Sequence, residues 1–334
     1  MRTRVLSQVS LEFLAVTFIL LLVSFGSAHN LALAQRASND AYDAPADSLT
    51  PAVRLTPSAA NFGVVLVGTA SALKKFTLAN NQSVVLNIAT IGFGGTNPTD
   101  FKVKTTTCTS QLPALSKCTI SVTITPGASG SRSGVLTVTD DADDSPQQAQ
   151  LQGTGGIPIS VFGTGHVAGG PGLAKYGTVD GNFTLVSCPA GACVSSDNGG
   201  YDAFVTLTRQ YPFPPWHKDT SSARWIGPAN GGDEETVDPP GVYQYQETLD
   251  LTGFDLATVV LKGSFATDNS GYIQLNGVTI GPTNSSYASL TKFSITSGFI
   301  QGINTLDFFV TNGPTGGSFN PTGLLVELSG LGAP

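Results

Sequence analysis

The chain has 334 residues, more than one small hydrophobic core usually organises, so two domains and a tail are expected. Charged residues make up only 12%, against about 25% in ordinary soluble domains. The 16 Lys and Arg face 23 Asp and Glu for a formal net charge of −7, which leaves no basic field to hold a phosphate backbone and argues against nucleic acid as a partner.

The N-terminus reads "MRTRVLSQVSLEFLAVTFILLLVSFGSAHNLALAQ". Two arginines precede an apolar run from Phe13 to Phe25, too short for the roughly 20 residues of a spanning helix. Ala32-Leu33-Ala34 offers a small-residue cleavage site, with Ala28 as the second candidate. Residues 1–34 are therefore expected to be a signal peptide, an uncleaved anchor being the alternative. The protein is expected outside the cell or in a periplasm, and free of the membrane after cleavage. Residues 35–53, rich in Ala, Ser, Asp and Pro without hydrophobic periodicity, are expected to form a disordered linker.

From Arg54 onward, short strand-like runs are separated by Gly, Asn, Pro and Asp clusters. In "TISVTIT", Ile120, Val122 and Ile124 share one face and Thr119, Ser121, Thr123 and Thr125 the other, as in a half-buried strand. The number of such runs predicts a β-sandwich over 54–155. The blocks "FGVVLVGTAS", "FTLANNQSVVLNI", "TDF" and "CTISVTITPGASGSRSGVLTVTDDADDSPQQAQLQGTG" resemble the ASH-type Ig-like domains of bacterial choice-of-anchor D proteins. That resemblance implies a spacer or protein-interaction sandwich without catalytic residues; an ordinary member would carry Phe where Ile124 stands. The acidic run "TDDADDSP", Thr139 to Pro146, reads as a solvated hairpin loop, calcium being its other reading. "GTGGIP" near Gly153 to Pro158 is expected to be a glycine-rich joint.

Residues 156–334 again show eight or more strand-like runs, predicting a jelly-roll sandwich of two antiparallel sheets closed on each other and an all-β fold throughout. "WHKDTSSARWIGP", "GVYQYQETLDLTGFDL", "SFATDNSGYIQLNG", "GFIQGINTLDFFVTNG" and "NPTGLLVELSG" together look like the galactose-binding-like jelly rolls of secreted bacterial proteins, the phrase around "GINTLDFFVTN" resembling sugar-binding domains attached to glycosidases. Function must still be argued from a site. In "TDNSGYIQLNGVTIG", Asn276-Gly277 sits between alternating strands and reads as hairpin geometry, because both turn residues need positive φ. Tyr243 and Tyr245 are expected to face inward.

A sugar site needs aromatic surface for the ring and planar polar groups for its hydroxyls. "RQYPFPPWHKDTSSARW" supplies both on a proline-rich rim loop: Trp216 and Tyr211 for stacking, Asp219 and Arg224 for hydroxyls, while Trp225 reads as core. Asp268 and Asn269 are further candidates. Asp180, Asp197 and Asp268, each in an Asp/Asn/Gly loop, are the candidate ligands of a structural calcium; no other cofactor is expected. The cysteines fall into two local pairs, Cys108 with Cys118 and Cys188 with Cys193, and nearest-neighbour bridging is the simplest connectivity.

No catalytic residue is assigned. The glycines around His166 lack the Lys-Ser/Thr of a phosphate loop, no G-x-S-x-G elbow is present, and the acids of "GGDEETVDPPG" read as an exposed loop. The expected function is a non-catalytic binding or adhesion module for an extracellular glycan or surface protein. The alternatives are a purely structural extracellular protein, or a hydrolase whose paired acids are not visible.

Overall fold

The computed structural model describes residues 51–196, 199–206, 215–228, 238–314 and 320–334. The expected signal peptide and most of the linker after it lie outside these residues.

Nine strands build the first sandwich: β1 (Val53–Thr56), β2 (Ala59–Leu66), β3 (Lys74–Asn80), β4 (Leu86–Gly94), β5 (Phe101–Thr106), β6 (Gln111–Leu112), β7 (Lys117–Ile124), β8 (Gly130–Asp140) and β9 (Gln147–Ile159). One sheet has the order β1-β3-β7-β5, and the other runs β2-β9-β8-β4-β6. The β2–β9 pair is parallel. Alternation puts Phe76 and Leu78 of β3, Ile120, Val122 and Ile124 of β7 and Leu136 and Val138 of β8 into one core, each fully buried. Ile124, where the resemblance led to an expectation of Phe, is fully buried in this core. The acidic run caps the β8–β9 hairpin, as its composition predicts. The Cys108–Cys118 and Cys188–Cys193 disulfides are both present.

Ten strands follow: β10 (Val179–Ser187), β11 (Tyr201–Val205), β12 (Ile226–Gly227), β13 (Gly241–Asp250), β14 (Val260–Asp268), β15 (Ser270–Leu275), β16 (Val278–Asn284), β17 (Thr291–Ile295), β18 (Ile303–Asn312) and β19 (Gly323–Gly332). One layer has the order β16-β15-β18-β13-β10, and the other runs β17-β14-β19-β12-β11. β10 also pairs with β11, so hydrogen bonding continues from one layer into the other, but the sheets do not close on each other as expected. Between the layers, Phe183, Phe265, Phe293 and Phe308 pack mostly edge to face at centroid distances near 6 Å, an arrangement aromatic rings prefer. Helical structure among the described residues is limited to two 3-10 turns, Pro98–Asp100 and Leu256–Thr258.

The expected joint at Gly153 to Pro158 is strand. β9 pairs with β8 and β2 as far as Gly155 and Gly156, then continues as Ile157–Ile159 against Gly330–Gly332 of β19. One strand thus belongs to both sandwiches. Its glycines serve close packing rather than looseness: a Cβ on Gly155 would lie 2.0 Å from the carbonyl oxygen of Ala128.

Candidate functional site

The outer face of β13, β18 and β15 gathers the aromatic and amide groups that recognition of a polyhydroxylated ligand requires. Inward placement of Tyr243 and Tyr245, of Leu306, Phe308 and Val310, and of Ile273 and Leu275, all at most 1% exposed, turns the alternate residues outward. Those residues are Gln244 and Gln246 on β13, Asp307 and Phe309 on β18, and Tyr272 and Gln274 on β15. Strand registers then set two rows across the face. Ser187, Gln244, Phe309 and Tyr272 form one; Thr184, Gln246, Asp307, Gln274 and Thr279 form the next.

Within the first row the rings of Phe309 and Tyr272 stack, centroids 4.8 Å apart and planes 4° from parallel, as a half-buried aromatic ridge. Beside it one oxygen of Asp307 accepts from the side-chain amides of Gln244 at 2.9 Å and Gln246 at 2.7 Å. Those bonds hold both glutamines in place with their carbonyls oriented away from the carboxylate. Gln274 donates to Thr279 at 3.3 Å. β10, β13, β15, β16 and β18 contain no Lys or Arg, so the face offers amides, hydroxyls and aromatic carbon without a cation. Sequence reasoning named none of Tyr272, Gln244, Gln246, Phe309, Asp307 and Gln274 as a site. The outward parity of those on β15 and β18 is written in "NTLDFFVTN" and "YIQLN"; that β18 lies between β13 and β15 is not.

The expected rim site is organised differently. Trp216 is 4% exposed, its ring centroid 4.3 Å from that of Trp225, and its indole N–H donates to Asp268 at 2.9 Å. This corrects the expectation of an open stacking ring: the two indoles form a small core of their own with Ala223, Ala266 and Leu325, which shields more apolar area than a rim position would. Tyr211 lies outside the described residues. Asp219 accepts from Tyr176 Oη at 3.0 Å and from the Trp225 backbone N–H at 3.1 Å, and burial pushes its pKa up. Arg224 lies over the Tyr176 ring, 4.1 Å from its centroid, and donates to the Ala174 carbonyl. These two side chains therefore serve a latch around Tyr176 and Trp225. Asn269 is exposed; its amide donates to Asp268 at 2.8 Å and its oxygen accepts from Gly313 N–H at 2.6 Å.

Asp250 and Asp255 of the second sandwich are exposed, but Asp180, Asp238, Glu247 and Asp268 are buried and held within the fold. Asp268 and Asp238, each 4% exposed, are both pushed up to about 6 by burial, and their mutual repulsion adds to the shift of Asp238. Glu247, 2% exposed, accepts from Phe162 N–H at 2.7 Å through one oxygen while the other has no partner; burial first, and nearby Asp180 second, push it up to about 9. Asp180 accepts from the backbone N–H groups of Gly165, Asn182 and Phe183, and burial raises its pKa. These acids tie loops to strands. Asp180 and Asp268 sit in separate networks of N–H donors, the opposite of the oxygen shell calcium takes, and Asp197 lies outside the described residues. Among the described residues no three His, Cys, Asp or Glu side chains gather as a metal site. Asp180 and Asp268 thus do not share an oxygen shell suited to the ion.

Neither a family model nor a curated protein sequence matches the chain. Solved structures similar to it include the secreted serine protease VesC from Vibrio cholerae, at 10% identity and a TM-score of 0.27, covering 86% of this chain and 52% of that one. The ASH/PapD-like domain of human CEP192 is similar at 13% identity and TM-score 0.25, covering 31% of this chain and 84% of that domain. A lectin from Pleurotus ostreatus in complex with GalNAc is similar at 13% identity and TM-score 0.24, covering 80% of this chain and 74% of the lectin. The chain thus spans about half the length of VesC. Likenesses this low carry no argument about activity.

Proposed function

We propose that this protein is an exported, non-catalytic binding module that takes a glycan on the outer face of β13, β18 and β15. The observation that carries the reading is the row Gln244–Phe309–Tyr272, an aromatic ridge beside amides already held by Asp307. The C–H side of a pyranose packs on aromatic carbon, and a primary amide both donates to and accepts from hydroxyls. Preorganised amides lower the ordering cost of binding. The first sandwich acts as a spacer, held in register with the second by β9.

Affinity electrophoresis of the full chain through gels carrying neutral polysaccharides tests this. Retardation is expected for the wild type and its loss for Phe309→Ala and Tyr272→Ala, with far-ultraviolet circular dichroism unchanged. Binding that survives both substitutions removes the site from this face. If no glycan retards the wild type, the purely structural reading takes its place, for which the shared strand is the supporting observation. Release of reducing sugar would bring back the hydrolase.

A further inference from the structure

The first sandwich carries a charged face that the overall composition conceals. Between Ala52 and Ile159 the cationic residues are Arg54, Lys74, Lys75, Lys102, Lys104, Lys117 and Arg132. Arg132 is neutralised by Asp100 at 2.6 Å, the one ion pair among the described residues. The other six all lie on β1, β3, β5 and β7, which form a single sheet, and all six are exposed; Lys74 shares the parity of buried Phe76, so five of them, Arg54, Lys75, Lys102, Lys104 and Lys117, stand on the outer face. None of these four strands contains an Asp or Glu. The remaining acids of the sandwich, Asp140, Asp141, Asp143 and Asp144, belong to the β8–β9 hairpin of the other sheet.

Register brings the cations together. Arg54 and Lys117 flank Ala79 in one row, Lys75 lies beside Ser121, and Lys102 beside Thr123. With strands about 4.8 Å apart and alternate residues about 6.8 Å apart, Cα positions of neighbouring cations lie roughly 10–15 Å from one another. That is comparable with the screening length of about 8–10 Å at physiological salt, so their fields overlap.

We propose that this outer face of β1, β3, β5 and β7 binds an acidic polysaccharide. Four of the five outward cations are Lys, mobile point charges suited to carboxylates or sulfates spread along a chain, whereas a bidentate grip on phosphate favours Arg. Thr77, Thr105 and Thr119 stand between them and offer hydroxyls to sugar hydroxyls. The outward positions hold no Phe, Tyr or Trp on which a nucleobase would stack. A second copy's acidic hairpin is the other complementary surface, but its carboxylates are engaged at home: Asp144 accepts from Val53 N–H, and Asp141 from both the backbone and side-chain nitrogens of Asn87.

The test is titration of the full chain with polygalacturonate, with dextran as the uncharged control. Wild type is expected to bind polygalacturonate and to weaken by about tenfold or more between about 50 and about 200 mM salt. Combined Lys75→Gln, Lys102→Gln and Lys117→Gln should weaken binding by at least about tenfold, the matching Lys→Arg variant should retain it, and Lys262→Gln with Lys292→Gln on the second sandwich should change nothing. A Gln variant that melts like wild type and still binds overturns the proposal. So does failure of the wild type to bind, displacement of polygalacturonate by duplex DNA at equal charge, or a self-association that the Gln variant loses in place of glycan binding.

Discussion

In the first sandwich five cations stand on one outer sheet face and four acids gather in one hairpin, while in the second several acids are withdrawn from water. Asp180, Asp238, Asp268, Asp307 and Glu247 are each at most 4% exposed. The net charge of −7 is therefore an average over two opposite arrangements, and it misdescribes both. Exposed cations do gather on one face of the first sandwich, which the net charge conceals. Conversely, Glu247, held up to about 9, keeps its proton at neutral pH and contributes no charge there. Two sandwiches of similar build thus offer one surface governed by screened charge and another governed by amides and aromatic carbon.

The largest effect is expected from damaging one sandwich and following the other. Trp225→Ala removes a fully buried indole from beneath Trp216 and should cost about 3–5 kcal/mol. Because β9 is common to both, thermal unfolding followed at several wavelengths should remain a single shifted transition; two separated transitions would mean that the shared strand does not couple them. Gly155→Val attacks that strand directly, since its Cβ meets the Ala128 carbonyl, and should cost about 3 kcal/mol in urea denaturation. An unchanged midpoint would show that the contact is slack.

The buried acids give the next effect. Glu247 has a folded pKa of about 9 against 4.5 for the ordinary group. Below 4.5 both states carry the proton; between the two values the unfolded chain releases it and the folded chain does not. Stability from this group is thus present in acid and lost as pH rises toward 9. Glu247→Gln should stabilise the protein by about 2–3 kcal/mol at pH 7 and flatten the decline between pH 4.5 and 9, read from urea midpoints across pH. A slope identical to wild type would place the titration elsewhere. Asp238 and Asp268, at about 6, add a decline of the same sign at lower pH.

Leu115 gives the smallest effect. It sits in the first sandwich at φ 56° and 74% exposed, so glycine relieves backbone strain while giving up little packing. Leu115→Gly should raise stability by about 0.5 kcal/mol, and a loss of more than about 1 kcal/mol would show that the side chain packs.

How far each feature could be read in advance follows from the range of its cause. Asn276 and Gly277, at φ 50° and 78°, make the expected hairpin turn, and the Asn276 side chain is used within the fold, bonded to Gly298, Asn304 and Thr305. The disulfides between near neighbours, the inward Tyr243 and Tyr245 and the core Trp225 were equally legible. Trp216 was not, because an indole in a proline-rich loop looks alike from the sequence whether it faces water or a second indole. The Gly153–Pro158 segment looked like a joint because glycine signals both looseness and close approach, and the partners that distinguish the two, Ala128 and β19, are remote along the chain.

Period-two alternation of apolar and polar residues, a local property, was enough to make this an all-β protein and to sort most side chains into inner and outer sets. Tertiary pairing alone decided which outer sets meet: it laid Phe309 beside Tyr272, thirty-seven residues away, and joined lysines of β3, β5 and β7 into one field. Strand order arises from the long-range fit of whole sheets, and no short window of sequence contains that information.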